Sequence, residues 1–234
     1  NTKSILKNPI ICAVDTNDMD IAFNIAKVMH SRGAMVKLGL EFFSVFGASG
    51  VRRIRETGVP IFLDLKLHDI PQTVFKTIQF LKTLDIAMIT VHISGGIEML
   101  LAAREALSDS TTMLLGVTVL TSLDNENLKS LGFSYDSLNQ VLNLAKIADE
   151  VSLDGVVCSG HEIKAIRNLC SHNLSLVVPG IRLNYKNNDD QKRTQTPKDA
   201  ISHGANYLVI GRPITESSDY GSAVDDIIDQ ISGF

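Results

Sequence analysis

The sequence predicts an α/β protein, a single-domain (β/α)₈ TIM barrel over residues 1–234. Three observations predict it. Eight short apolar runs recur along the chain. Each is followed by a stretch with apolar residues at three- and four-residue spacing, the mark of an amphipathic helix. The length, 234 residues, accommodates eight such units. Runs rich in Val, Ile and Leu, without polar alternation, are what a parallel sheet covered on both faces requires. A doubly wound sheet of about five strands would leave three units over.

In order, residues 10–14 form the first run and 20–31 the first helix, with Gly33 at its expected end. The run 35–38 leads to a helix over 42–57, closed by Gly58. Residues 61–65 lead to 72–83, and 87–91 lead to 96–107. The fifth run, 113–120, precedes a helix over 138–151, and 155–158 precedes 162–168. The run 175–178 is followed by 197–203. There Pro197 suits a first helical turn, Thr196 an N-cap and Gly204 a C-terminal stop. Residues 207–210 and 222–231 complete the pattern.

Composition narrows the function classes. Apolar residues make up 44% and charged residues 21%, ordinary globular usage that supports a sizeable core. The formal net charge is −4, so the bulk field repels nucleic acid and acidic membrane surfaces. An anionic ligand would need a local cationic pocket. Cys12, Cys158 and Cys170 are too few for a disulfide framework and none are at CxxC spacing. With no apolar run near the ~18 residues needed to span a bilayer, and no apolar signal core at the start, the expectation is a cytoplasmic protein. The sequence contains no GxxxxGK[ST], GxGxxG, HExxH or GxSxG, and its six histidines lack metal-ligand spacing. No metal is expected.

In a barrel of this kind the active site lies where the strands end. Those positions carry Asp15, Lys37, Asp64-x-Lys66-x-x-Asp69, His92, Thr121, Arg182 and Gly211-Arg212. Asp64 and Lys66 are two apart, so a strand turns both to one side while Leu63, Leu65 and Leu67 face the other. An inward pair of opposite charges is costly without further partners. Lys37 and Asp69 could supply them, giving an alternating Lys–Asp–Lys–Asp array, although a structural ion pair closing the barrel mouth would look the same. Arg182 after the seventh strand and Gly211-Arg212 after the eighth suit a phosphate site, since glycine admits close backbone approach and arginine binds two oxygens. Turn glycines beside solvated arginines are the alternative. His68 and His92 read as structural or supporting residues near the mouth.

These residues resemble the orotidine 5′-phosphate decarboxylase family. The resemblance is carried by Asp64-x-Lys66-x-x-Asp69-Ile70-Pro71-x-Thr73, Val36-Lys37-x-Gly39, Val91-His92-x-Ser94-Gly95-Gly96, Val117-Thr118-Val119-Leu120-Thr121-Ser122, Pro179-Gly180-Ile181-Arg182, Asp190-Gln191-Lys192-Arg193 and Val209-Ile210-Gly211-Arg212-Pro213. They run in order over nearly the whole chain. The resemblance implies a cofactor-free conversion of orotidine 5′-phosphate to UMP and CO₂, the last step of de novo pyrimidine nucleotide synthesis. It makes Lys66 the proton donor to C6, with Lys37, Asp64 and Asp69 completing the charged array. Asp15 and Lys37 would hold the ribose hydroxyls and Thr121 the pyrimidine edge. Arg182, Gln191, Gly211 and Arg212 would grip the phosphate, with residues 183–191 as part of a closing loop. The family is a homodimer in which Asp69, Ile70 and Thr73 reach the neighbouring site. Gln72 and Leu183-Asn184 depart from the usual pattern and touch only loop detail.

Two other readings stand beside it. Related sugar-phosphate lyases share Asp-x-Lys-x-x-Asp but use Mg²⁺, and would carry an acidic ligand where this chain has Lys37. A non-catalytic nucleotide-phosphate binding barrel would have lost part of the charged array.

Overall fold

The computed structural model describes residues 8–183 and 195–232. Eight parallel strands close in sequence order: β1 (Ile10–Ala13), β2 (Met35–Gly39), β3 (Ile61–Leu67), β4 (Met88–His92), β5 (Met113–Val117), β6 (Gly155–Val157), β7 (Ser175–Val178) and β8 (Tyr207–Ile210). β8 pairs back onto β1, with Ile11 opposite Val209, so no strand is left as an edge. The predicted (β/α)₈ barrel is the observed one.

The helices that cover it are α1 (Met19–Ser31), α2 (Leu40–Arg55), α3 (Pro71–Leu81), α4 (Ile97–Ala106), α5 (Asn125–Ser130), α6 (Ser137–Glu150), α7 (Ile163–Leu169), α8 (Pro197–His203), α9 (Arg212–Thr215) and α10 (Tyr220–Ser232). Thr196 caps α8 as expected. Its side chain accepts from the Asp199 N–H, Asp199 returns the bond, and Pro197 takes the first turn. Gly204 ends α8 at φ 113, a backbone conformation that a side chain resists.

Strand periodicity divides the apolar residues between two cores. Outward residues such as Ile10, Leu38, Leu63, Ile89 and Leu176 pack under the helices. Inward residues Ile11, Met35, Phe62, Met88, Leu115, Val177 and Tyr207 form a second cluster that plugs the barrel. On β2, β3 and β4 the inward position two residues further along, toward the C-terminal end, changes character. Met35 gives way to Lys37, Phe62 to Asp64 and Met88 to Thr90. A dry apolar layer thus becomes the floor of a polar one.

Three elements differ from the sequence expectation. β5 stops at Val117 rather than running to residue 120, and the Thr118 hydroxyl then donates to the Val157 carbonyl at 2.8 Å. α5 was not expected. It is six residues long and buries only Leu128, too little for a periodic signal, and an Asp124–Asn127 capping box starts it. α9, four residues long, opens directly on Arg212.

Candidate active site

The site begins with an irregularity in β3. Leu63 pairs with Ile89 and Leu67 with Val91, so four steps along β3 face two along β4. Two extra residues keep the inward–outward alternation, and Asp64 and Lys66 still share a side. The extra length is absorbed at Lys66, whose φ is 48. A left-handed residue bearing a side chain costs about 1–2 kcal/mol. Such strain persists where its surroundings hold it, most often at functional sites.

What holds it is visible. The Lys66 Nζ donates to Asp64 Oδ2 at 2.7 Å, and Lys37 Nζ approaches the same oxygen at 3.4 Å. The other Asp64 oxygen accepts from the Thr90 hydroxyl at 2.8 Å. Asp64 is 6% exposed. Burial alone would push its carboxyl up, but the Lys37 charge, the hydrogen bond and charge of Lys66, and the Thr90 hydroxyl outweigh it. The carboxyl is held below the usual carboxylate range. Three of the four predicted array members therefore meet at the barrel mouth in alternating sign.

Asp69 does not join them within one chain. It is exposed just past β3, its carboxylate accepts from the Ile70 N–H at 2.7 Å, and among the described residues it pairs with no cation. Ile70 is 66% exposed and Thr73 lies exposed in the first turn of α3. On the same rim the His68 ring lies against Gly95, and its centroid is 5.4 Å from that of His92. Burial first, then the neighbouring His68 and Lys66, lowers the His92 pKa below the ordinary imidazole value, against a smaller opposing pull from Asp64. A neutral His92 adds no further positive charge beside Lys66.

Lys37, Asp64 and Lys66 open into a cavity of about 180 Å³. Its other walls are almost wholly apolar, among them Phe62, Val117, Val157, Cys158, Pro179 and Val209, and Thr121 stands at its edge. Apolar walls lower the local dielectric and strengthen the charges that remain. An adjoining cleft shares Leu120, Thr121 and Pro179 with the cavity and extends to Arg182. Asp15, exposed after β1, and Lys37 both approach Gly39, where a Cβ would stand 3.9 Å from Asp15 Oδ1 and 3.7 Å from Lys37 Nζ. Gly180 reaches φ 75 in the turn that brings the chain to Arg182. Gly211 and Arg212 follow Val209 at the end of β8, with Arg212 exposed, and line neither cavity. Gln191 and residues 184–190 of the expected loop lie outside the described residues.

Thr90 was missed by sequence reasoning, as were the apolar cavity walls. The signal for Thr90 existed: it is the one polar residue inside the run 87–91, two positions from Met88 and His92 on the inward side. Ser159-Gly160, before α7, offers no free anion contact at Ser159. The Ser159 N–H is already taken by Glu162 Oε2 at 2.7 Å.

A closed barrel that brings two half-buried ammonium groups and a buried carboxylate to an apolar-walled cavity at its strand ends has the layout of a (β/α)₈-barrel enzyme. Comparison with known proteins gives the particular family. Residues 8–227 match the orotidine 5′-phosphate decarboxylase / HUMPS family, and the chain belongs to it. It is 54% identical over 226 residues to the orotidine 5′-phosphate decarboxylase of Ehrlichia chaffeensis, covering 96% of this chain and 97% of that one. Identity with the orotidine 5′-phosphate decarboxylase of Wolbachia pipientis from Culex pipiens is 50% over 225 residues, 96% of this chain and 99% of the relative. The crystal structure of orotidine 5′-phosphate decarboxylase from Lactobacillus acidophilus superposes with a TM-score of 0.85 at 33% identity, covering 97% and 100% of the two chains.

Proposed function

We propose that the chain removes CO₂ from orotidine 5′-phosphate to give UMP, with Lys66 as the group that makes the step possible. The C6–carboxylate bond breaks, CO₂ leaves, and the electron pair stays on C6, which the ring cannot readily delocalise. The Lys66 ammonium stabilises that developing charge and gives its proton to C6, and the resulting amine recovers a proton from solvent. The observation that carries this reading is the fixed position of Lys66 Nζ, 2.7 Å from a buried Asp64 carboxylate in a cavity with apolar walls. Charge oriented before the reaction needs little reorganisation during it.

In this reading Lys37 and Asp15 hold the ribose hydroxyls and Thr121 the pyrimidine edge. Arg182, Gln191, Gly211 and Arg212 take the phosphate, whose grip orders the site although it lies away from C6. The protein acts as a homodimer in the cytoplasm, with Asp69, Ile70 and Thr73 reaching the partner's cavity. Exposed Ile97 (51%) and Leu101 (47%) lie on α4, which packs against the α3 helix that Ile70 precedes, and support that pairing. Among the described residues no helix is long and apolar enough to cross a membrane.

The test is orotidine 5′-phosphate absorbance followed after adding purified protein in excess EDTA. Stoichiometric UMP and CO₂ are expected. Absence of turnover, or turnover that EDTA abolishes, would overturn the reading and favour the metal-dependent sugar-phosphate lyases.

A further inference from the structure

We infer that Thr90 is a positioning residue for this reaction: its hydroxyl ties the Asp64 carboxylate to the left-handed backbone of Lys66 and so sets where the Lys66 ammonium stands. The inference rests on the proposed role of Lys66.

Thr90 is inward-facing on β4 and 0% exposed. It stands opposite the irregular stretch of β3, where the ladder between the strands is interrupted from Leu63 to Leu67. An interrupted ladder leaves backbone groups in need of partners. The Lys66 N–H finds its partner in the Thr90 hydroxyl oxygen, at 3.0 Å. The same hydroxyl donates its proton to Asp64 Oδ1 at 2.8 Å. Asp64 Oδ2 then accepts from Lys66 Nζ at 2.7 Å.

These three bonds form a closed ring. Lys66 is held at both ends: its backbone by Thr90, its ammonium by Asp64, and Thr90 and Asp64 by each other. A hydroxyl can accept and donate at once, and here both capacities are used. A methyl group in its place would strip a partner from a strained backbone amide and from a buried carboxylate together. The ammonium would still be present, but its rest position would no longer be fixed before substrate arrives. Positional errors of this kind fall on the chemical step more than on binding.

The experiment compares Thr90→Val, which keeps the shape and loses the hydroxyl, with Thr90→Ser, which keeps the hydroxyl and loses the methyl. Both are made in the full chain. For Thr90→Val, kcat should fall on the order of 10²-fold, while KM for orotidine 5′-phosphate and the affinity for UMP change less than about threefold. Thr90→Ser should keep kcat within roughly fivefold of the parent. The acid limb of the kcat profile should also move to higher pH in Thr90→Val, because Asp64 loses a donor. Lys37 from β2, Lys66 from β3, His92 from β4 and Asp15 after β1 still surround it. A purely structural role would lower thermal stability without moving that limb.

Parent-like kcat in Thr90→Val would overturn the inference, as would equal losses in the two variants. Should the valine variant fail to fold, a serine variant as slow as 10²-fold below the parent would overturn it by itself. An inactive parent would instead sink the proposed reaction.

Discussion

The two halves of the barrel mouth are built on opposite principles. On the β2–β4 side the charged groups that line the cavity are anchored to one another: Lys37 and Lys66 converge on a buried Asp64, and Thr90 braces the far side of the carboxylate. On the β7–β8 side the cationic side chains, Arg182 and Arg212, are exposed, and each follows a glycine-containing turn. The contrast extends to the backbone. Both sides use a left-handed residue at a strand end, but one is Gly180 at φ 75 and the other is Lys66 at φ 48. Glycine adopts that conformation without steric cost, whereas lysine is strained there. Strain is accepted where the side chain itself has to arrive at a particular point, and avoided where backbone and reach suffice. In the proposed function the β2–β4 side carries the chemistry and the β7–β8 side takes a ligand that enters and leaves.

That contrast breaks most visibly at Lys66. Lys66→Ala removes the proposed proton donor and should lower kcat by on the order of 10⁴-fold or more. UMP affinity should stay within about tenfold, since the proposed phosphate grip lies on the other side. CO₂ release at near-parent rates would remove Lys66 from the reaction. Arg212→Ala probes the open side. Loss of a charged contact to phosphate should cost on the order of 10²-fold in kcat/KM, with KM carrying much of it. Kinetics identical to the parent would take Arg212 out of the phosphate site.

The same division decided what could be read from the chain. Eight strands were legible because Val-, Ile- and Leu-rich runs such as 207–210 are long enough to show. The shared side of Asp64 and Lys66 was legible from a spacing of two, and that parity survived because β3 carries two extra residues rather than one. The irregularity itself was not legible. Nothing in FLDLKL signals a lysine at positive φ, since propensity argues against it and only tertiary partners hold it there. Thr90 was hidden by its neighbours: one hydroxyl in an apolar run reads as tolerated polarity until β3 is placed beside it. Asp69 was legible as chemistry but not as a contact, because the described residues of one chain supply it no cation.

Acid should separate the two sides as well. The Asp64 carboxyl sits below its ordinary value, so the folded state releases that proton more readily than the unfolded chain does. Its contribution to stability is full above the unfolded carboxylate range and is lost as pH falls through the folded value. His92 is likewise held below the ordinary imidazole value of 6.5, so folding favours its neutral form. That contribution is present above the unfolded value and is lost on acidification, damped because His92 is only half-buried. Urea midpoints measured from about pH 8 to pH 2 should therefore fall in two stages. His92→Gln should remove the upper stage and Asp64→Asn the lower. Arg182→Gln, on the open side, should leave the slope unchanged. A pH-independent midpoint in the parent would refute the electrostatic account of the β2–β4 side.

The finest test compares the two left-handed residues directly. Gly180→Ala places a Cβ where no described residue stands within 4 Å, so any loss reports backbone strain rather than collision with them. It should destabilise by about 1–2 kcal/mol. At position 66 the substitution runs the other way. Lys66→Ala and Lys66→Gly both lose the ammonium and its bond to Asp64, so their difference isolates the backbone. Glycine relieves the left-handed cost of about 1–2 kcal/mol and gives back about 0.5–1 kcal/mol in unfolded-chain entropy. Lys66→Gly should therefore exceed Lys66→Ala in stability by up to about 1.5 kcal/mol, although both are expected to be inactive. The gain would mark strain that the parent carries at the residue it cannot replace, the cost expected where activity and stability compete for one position. Equal or reversed stabilities would mean that Thr90 and the irregular ladder make the left-handed turn costless, and the contrast with Gly180 would reduce to a difference in exposure.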